Sequence, residues 1–337
     1  MKILVTGGLG FIGSHVVVKL QEQGFDVVII DNLSNSDIKV LDGIIAITGI
    51  APQFEQLDLR EKSAVSAFFK KHGDVQGVIH FAASKAVGES VENPLLYYEN
   101  NIGTLVYILQ ELQKKEQACF IFSSSCTVYG QADEMPITEN APVKKAESPY
   151  GNTKQIGEQI IEDTCKVNPN ILATALRYFN PIGAHESSLI GELPIGVPQN
   201  LVPYITQTAT GQRTQLSVFG NDYPTPDGTA IRDYIHVVDL AEAHVVALKK
   251  LLANEQATNF DFYNVGTGKG SSVLEVITAF ESVTEKKINY KIVDKREGDV
   301  VQAYADTSKA NDVLGWKAKH SLEEALFAAW KWEQKQL

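Results

Sequence analysis

An apolar run, Ile3-Leu4-Val5, breaks into Thr6-Gly7-Gly8-Leu9-Gly10-Phe11-Ile12-Gly13 and resumes as a helical pattern over 11–20. No other stretch limits the fold as much. A strand, a glycine turn and a helix in that order make a nest for a diphosphate. Glycines let the backbone approach phosphate closely, and the helix start offers unpaired N–H groups at the positive end of its dipole. The spacing is Gly7-x-x-Gly10-x-x-Gly13, not the commoner G-x-G-x-x-G, and such turns also occur as plain structure. The next apolar run, 25–31, ends on Asp31. An acid at that strand tip accepts bonds from adenosine ribose hydroxyls and repels a 2′-phosphate, favouring NAD over NADP. The plainer reading of Asp31 is a surface turn residue.

Further runs alternate between strand and helix patterns: strand 54–58, helix 61–71, strand 77–83, helix 93–115, strand 119–122, a helix opened by Ser148-Pro149, and strand 171–177. That alternation predicts an α/β fold, a doubly wound parallel sheet forming a Rossmann-type NAD-binding lobe over 1–180. From 181 onward Gly and Pro recur and helices read as short and separated. A smaller mixed α/β substrate-binding lobe is expected over 181–337. The chain is expected to cross back to the first lobe around 235–265, with a helix at 239–252 and a strand at 262–265.

A net charge of −11 argues against a nucleic-acid surface. Cys119, Cys126 and Cys165 are odd in number and lack metal-ligand spacing, which fits a reducing cytoplasm and no metal. Strand 1 begins at once, leaving no room for a signal peptide, and no apolar run reaches membrane-span length.

Tyr150-Gly151-Asn152-Thr153-Lys154 is the most informative chemical motif. Residues four apart share a helix face, so a phenol and an ammonium converge. A nearby cation stabilises phenolate and lowers a tyrosine pKa, making Tyr150 a candidate general base for a substrate hydroxyl. Taken alone the pair is commonplace; placed after a nucleotide turn and the serine triplet Ser123-Ser124-Ser125, it points to chemistry. Ser125 can bond the same oxygen, although serine clusters at strand ends are usually polar turns. His80 reads as a buried strand-end residue.

These features resemble the extended short-chain dehydrogenase/reductase superfamily. More closely, Asp31-Asn32-Leu33-Ser34-Asn35, the segment from His80 to Ser90, Tyr150 to Lys154, Arg177 to Pro181 and Arg232-Asp233-Tyr234-Ile235-His236 resemble the UDP-galactose (UDP-glucose) 4-epimerase family, nearly over the whole chain. The resemblance implies NAD retained through the cycle. Tyr150 would take the 4-hydroxyl proton while hydride leaves C4, and the 4-keto sugar would turn and be reduced on its other face. Lys154 would tune Tyr150 and Ser125 assist. It also implies cofactor contacts from Gly7, Gly10, Phe11, Ile12, Gly13, Asp31, Asn32, Asn35, Asp58, Leu59, Phe81, Ala82, Ala83, Lys85, Asn100, Ser123, Tyr150, Lys154 and Tyr178. Substrate contacts would come from Lys85, Ser125, Thr127, Tyr150, Asn180, Asn200, Leu201, Phe219, Arg232, Arg296, Asp299 and Ala303. Arg232 and Arg296 suit a pyrophosphate through bidentate bonds. Relatives are commonly homodimers, for which Leu96 and Tyr107 on the 93–115 helix are candidates.

One departure from the family pattern bears on specificity. The position four after Asp299 lines the sugar pocket in the family, and here it is the small Ala303, leaving volume for a 2-N-acetyl group unless Tyr304 refills it. Two alternatives compete. Nucleotide-sugar 4,6-dehydratases carry Thr-Asp-Glu where this chain has Ser125-Cys126-Thr127, so the acid and base for water elimination are missing; a decarboxylase of the same superfamily is the other enzymatic reading. A non-catalytic NAD-binding regulator would have no need of Ser125, Tyr150 and Lys154 together.

Overall fold

The computed structural model describes residues 1–296 and 299–337. Seven parallel strands form the main sheet. Those at Lys2–Thr6, Asp26–Asp31, Val75–His80, Ala118–Ser123 and Ile171–Tyr178 are largely buried, as parallel strands covered by helices require, while the edge strand Gln53–Gln56 is polar and partly exposed. In chain order, β1 (Lys2–Thr6) leads through α1 (Phe11–Glu22) to β2 (Asp26–Asp31), then α2 (Val40–Thr48), β3 (Gln53–Gln56), α3 (Lys62–Lys71) and β4 (Val75–His80). Next come α4 (Val87–Glu92), α5 (Pro94–Tyr97), a π-helical turn at Tyr98–Gly103, α6 (Thr104–Leu112), β5 (Ala118–Ser123), α7 (Pro149–Val167) and β6 (Ile171–Tyr178). The single helix expected over 93–115 is therefore three joined segments, opened by Pro94 and widened at Tyr98–Gly103. The end of α7 is as its residues dictate: Ser148 accepts from the Gly151 amide at 3.2 Å, with Pro149 first in the helix.

Beyond β6 the chain forms β7 (Asn180–Ile182), α8 (Leu201–Ala209), β8 (Leu216–Phe219), β9 (Ile231–Arg232), β10 (Tyr234–His236), α9 (Val237–Leu252) and β11 (Phe260–Val265). It ends through β12 (Ser271–Ser272), α10 (Val273–Thr284), β13 (Tyr290–Val293), β14 (Gln302–Ala303) and α11 (Leu322–Gln334). The expectation of short helices here is wrong. α9 spans the helix expected at 239–252, but α10 and α11 are long too, and each starts in a capping box, Ser272 with Glu275 and Ser321 with Glu324.

Main-sheet order is β11-β6-β5-β4-β1-β2-β3. The chain thus returns after β10 to add β11 beside β6 and to lay α9 against the sheet. One apolar layer joins Val16, Val17, Leu20, Leu240, Ala243 and Leu248, from α1 and α9, to the sheet. The opposite layer draws on α3, α6 and α7 through Val65, Phe68, Ile108 and Ile161. A third cluster unites α8, α10 and α11 through Ile205, Phe280 and Trp330. Because the strands are parallel, the segments following β1, β2, β4, β5 and β6 all emerge at one edge.

Candidate active site

The glycine turn leaves β1 with the Gly7 amide donating to Ile30 C=O at 2.7 Å and the Gly10 amide to Gly7 C=O at 3.0 Å. Gly7 has φ +66, a conformation glycine adopts without strain. A Cβ on Gly13 would lie 2.2 Å from Gly7 O, so only glycine fits where helix and turn touch. α1 begins at Gly10 without a side-chain cap. Its first amides, at Phe11, Ile12 and Gly13, are left for an anion, which is the cradle a dinucleotide diphosphate fits.

Asp31 is buried and already engaged. It accepts from the Leu9 amide at 3.1 Å, the Leu33 amide at 3.0 Å and the Ser36 hydroxyl at 2.7 Å, tying the glycine turn to the loop after β2. It is no loose turn residue. Asn32 donates to Asp58 at 3.4 Å, and Arg60 beside Asp58 holds that carboxyl down at about 2. Leu59 buries its side chain in the lower apolar layer, so it offers the site its main chain, while Asn35 stands exposed.

Beyond β4, Phe81, Ala82 and Ala83 lie beside the glycine turn, with Ala82 N within 2.9 Å of where a Gly7 Cβ would be. The His80 ring bonds Thr6 Oγ1 at 2.8 Å, and burial drives its pKa down to about 3; it is a strand-end residue. Asn100, on the π-helical turn, donates to Ser84 Oγ at 3.0 Å. Its neighbour Asn101, which the sequence reading overlooked, braces the Ser84 main chain and donates to Thr153 at 3.1 Å.

The chemistry gathers around β5 and α7. Lys154 is buried and donates to Ser123 C=O at 2.7 Å, with its ammonium 5.7 Å from the centre of the Tyr150 ring. The Ser123 hydroxyl bonds Tyr178 Oη. Ser125 Oγ caps the next turn by accepting from the Thr127 amide at 3.2 Å, and the Thr127 hydroxyl is buried without a partner. Burial lowers Lys154 to about 8. It raises Tyr150 well above an ordinary phenol, while the nearby Ser125 hydroxyl works the other way. The expected lowering of Tyr150 toward neutrality is thus absent in the protein alone, because desolvation by burial dominates.

A second group stands beside β9. Arg232 donates to Ile231 C=O at 2.8 Å and pairs with Asp299. The Arg296 guanidinium lies 3.8 Å over the Phe219 ring. Ala303 is in register with Arg232 across β9 and β14, and is buried with Val128, Tyr129 and Phe179. The Tyr304 ring packs near Gly270 instead, as strand alternation dictates. Asn180 in β7 binds through its amide to Asp233 C=O at 2.9 Å. Leu201 opens α8, and Asn200 before it donates to Glu192 at 2.5 Å, which also meets Lys85 at 3.6 Å. Nothing in the sequence marks Glu192, and Asp233 stands there only as part of the 232–236 segment, with no role of its own. The buried Asp233 carboxylate collects Thr267, Gly268 and Ala305 amides, which explains the second glycine cluster as a loop anchored behind Arg232.

With this geometry in place, the relatives are informative. The family described as GDP-mannose 4,6 dehydratase matches residues 4–327. A UDP-glucose 4-epimerase of Bacillus subtilis (strain 168) is 49% identical over 333 residues, spanning 99% of this chain and 97% of its own. The solved UDP-glucose 4-epimerase of Stenotrophomonas maltophila, with bound NAD and formylated UDP-arabinopyranose, superposes with a TM-score of 0.95 at 47% identity, covering 100% of this chain and 98% of that one. That of Bifidobacterium longum, with NAD+ and UDP, gives 0.95 at 43% identity over 99% and 98%. The chain belongs to the UDP-glucose 4-epimerase family. Its extended short-chain dehydrogenase/reductase fold follows from the same likeness. Burial pushes the Cys126 thiol up to about 11.

Among the described residues no group of three metal-ligating side chains comes together, and no helix is long and apolar enough to cross a membrane.

Proposed function

We infer that this protein interconverts UDP-galactose and UDP-glucose by epimerising sugar carbon 4 through a transient 4-keto sugar. The observation that carries the reading is the convergence of Tyr150, Lys154 and Ser125 at the sheet edge that also bears the Gly7–Gly13 cradle and Asp31. NAD fits that cradle and, when bound, supplies the hydride acceptor and donor at carbon 4. Tyr150 takes the 4-hydroxyl proton and returns it, and Ser125 holds the same oxygen. The Lys154 ammonium favours the phenolate against the burial that opposes it. Phe81, Ala82 and Ala83 give the cofactor a small-residue floor. On the substrate side Arg232, Arg296, Asp299, Asn180, Asn200, Leu201 and Phe219 grip UDP. The sugar beyond is held by few groups, which lets it present either face.

Ala303 supports a second substrate class. A small buried side chain at that position, with Tyr304 packed toward Gly270, leaves volume for a 2-N-acetyl group, so UDP-N-acetylgalactosamine and UDP-N-acetylglucosamine join the substrates. The 1–180 segment with β11 serves as the NAD lobe and the rest as the UDP-sugar lobe. Exposed Val87, Val91, Leu95 and Leu96 on α4 and α5 support a homodimer through this region, with Leu95, 81% exposed, contributing most; Tyr107 is half-buried against the lower layer and contributes less. Three free cysteines support a reducing compartment such as the cytoplasm.

Purified protein with no NAD added is expected to convert both UDP-galactose and UDP-N-acetylgalactosamine, as followed by chromatography. Conversion of UDP-galactose alone would remove the second substrate class. No conversion of either, with NAD supplied, would contradict the functional reading.

A further inference from the structure

The face of α7 that carries Tyr150 and Lys154 continues four residues on to Glu158, since residues four apart share a helix face. Glu158 is buried. It accepts from the Ser124 hydroxyl at 2.5 Å, and from Arg177 at 2.9 and 3.2 Å through Nε and 2.5 Å through a terminal nitrogen. Arg177 is itself fixed. It donates to Tyr129 Oη at 3.0 Å and lies 3.8 Å over the Phe262 ring, while Tyr129 donates to Asn264 at 2.7 Å. One residue before Ser124, the Ser123 carbonyl takes the Lys154 ammonium; one residue after it stands Ser125. A carboxylate and an ammonium from one helix therefore grip adjacent residues of one strand end. A buried ion pair is a poor source of stability, because desolvation offsets its attraction, so stability alone does not account for this one.

We propose that Glu158 is a positioning residue for epimerisation: clamped by Arg177, it holds the 123–125 strand end against α7 through Ser124 and sets a buried carboxylate one helical turn from the Lys154 ammonium. The proposal rests on the roles given above to Tyr150 and Lys154. Burial lowers Lys154, and Glu158 opposes that lowering. The other groups facing this site from neighbouring elements are His80 on β4, Tyr97 on α5, Cys126, Tyr129, and Arg177 and Tyr178 on β6. None of these is negative at neutral pH; the Glu139 carboxyl stands behind Tyr129 and takes the Asn264 amide at 2.8 Å, and Glu89 lies beyond Tyr97, whose hydroxyl donates to it.

The test follows kcat and KM for UDP-galactose against pH in the enzyme as purified, comparing wild type, Glu158→Gln, Ser124→Ala and an inactive Tyr150→Phe reference. Glu158→Gln keeps one accepting oxygen for Ser124 and Arg177 Nε, but it loses the charge and sets an amide N–H against the second Arg177 nitrogen. Its alkaline limb of kcat is expected to move about one pH unit lower, with KM within about twofold because UDP contacts are untouched. Ser124→Ala is expected to lower kcat without moving the limb, since the carboxylate stays. Should Glu158→Gln fail to fold, Glu158→Gln with Arg177→Met removes the unpaired cation and is read in the same way. An active wild type whose limb is unmoved by loss of the Glu158 charge overturns the proposal alone. A wild type without turnover overturns the functional reading together with it.

Discussion

Tyr150 is half-buried among tyrosines 97 and 178 and Cys126, surroundings that favour the neutral phenol. Under the proposed mechanism its use as a base depends on positive charge nearby, and that charge is assigned to Lys154. At the same scale, the proposed pocket assignment makes Ala303 the residue that sets what fits beyond the phosphates. Ala303→Tyr is expected to cut turnover of UDP-N-acetylgalactosamine by at least about tenfold while leaving UDP-galactose within about threefold; equal loss on both substrates, or none on either, contradicts the pocket assignment. Some residues could be read from the chain and some could not. Tyr150 and Lys154 are legible because helical spacing puts them together. Glu158 lies on that same face and was legible by the same rule, though overlooked. Asp233 was not, because its partners at Thr267, Gly268 and Ala305 are joined to it only by the fold.

Among the elements, the turn between β1 and α1 tolerates least. Gly13→Ala would place a methyl 2.2 Å from Gly7 O, and the backbone must shift to admit it. Such overpacking costs about 1–3 kcal/mol. The variant is expected to purify with substoichiometric NAD and a lowered melting temperature, measured by release of cofactor on denaturation and by a thermal scan. Full NAD content with wild-type melting contradicts the cradle. The central strands of the main sheet were legible because β1, β2, β4, β5 and β6 are compact runs rich in apolar residues, whereas β3, at the edge, is mostly polar. The two-residue β9, β12 and β14 were not: they pair across long stretches of chain, and no local pattern marks so short a strand. The helices α10 and α11 escaped notice for a different reason. Their Ser-x-x-Glu starts at Ser272 and Ser321 mark them locally, though the Gly- and Pro-rich stretch before them reads as irregular chain.

For the whole molecule, the crossing of α9 and β11 back to the main sheet means that neither lobe is a continuous segment. Buried histidines are spread through the NAD side and its border with the second lobe. Burial holds His15 and His80 down at about 3, and His236 and His244 at about 4. Each is neutral when folded and takes a proton near the ordinary value of 6.5 when unfolded. As pH falls below that value the unfolded chain gains protons the native state refuses, so the stability these groups contribute is present above about 6.5 and is lost toward 3–4. Each such group lowers stability by up to about 1.4 kcal/mol per pH unit in that window. Buried Glu139, Asp233 and Glu333, whose carboxyls are raised, pull the other way, but only as pH nears the carboxylate range. The melting temperature is expected to fall steadily from pH 7 to about 5; a flat profile there would contradict the burial of these imidazoles.

The central claim is that Tyr150 moves the proton at sugar carbon 4. The direct measurement compares wild type with Tyr150→Phe for UDP-galactose turnover, with UDP binding measured on both by calorimetry. Loss of about 10²–10⁴ in kcat with UDP affinity unchanged is the predicted result. Turnover within a few-fold of wild type would contradict it.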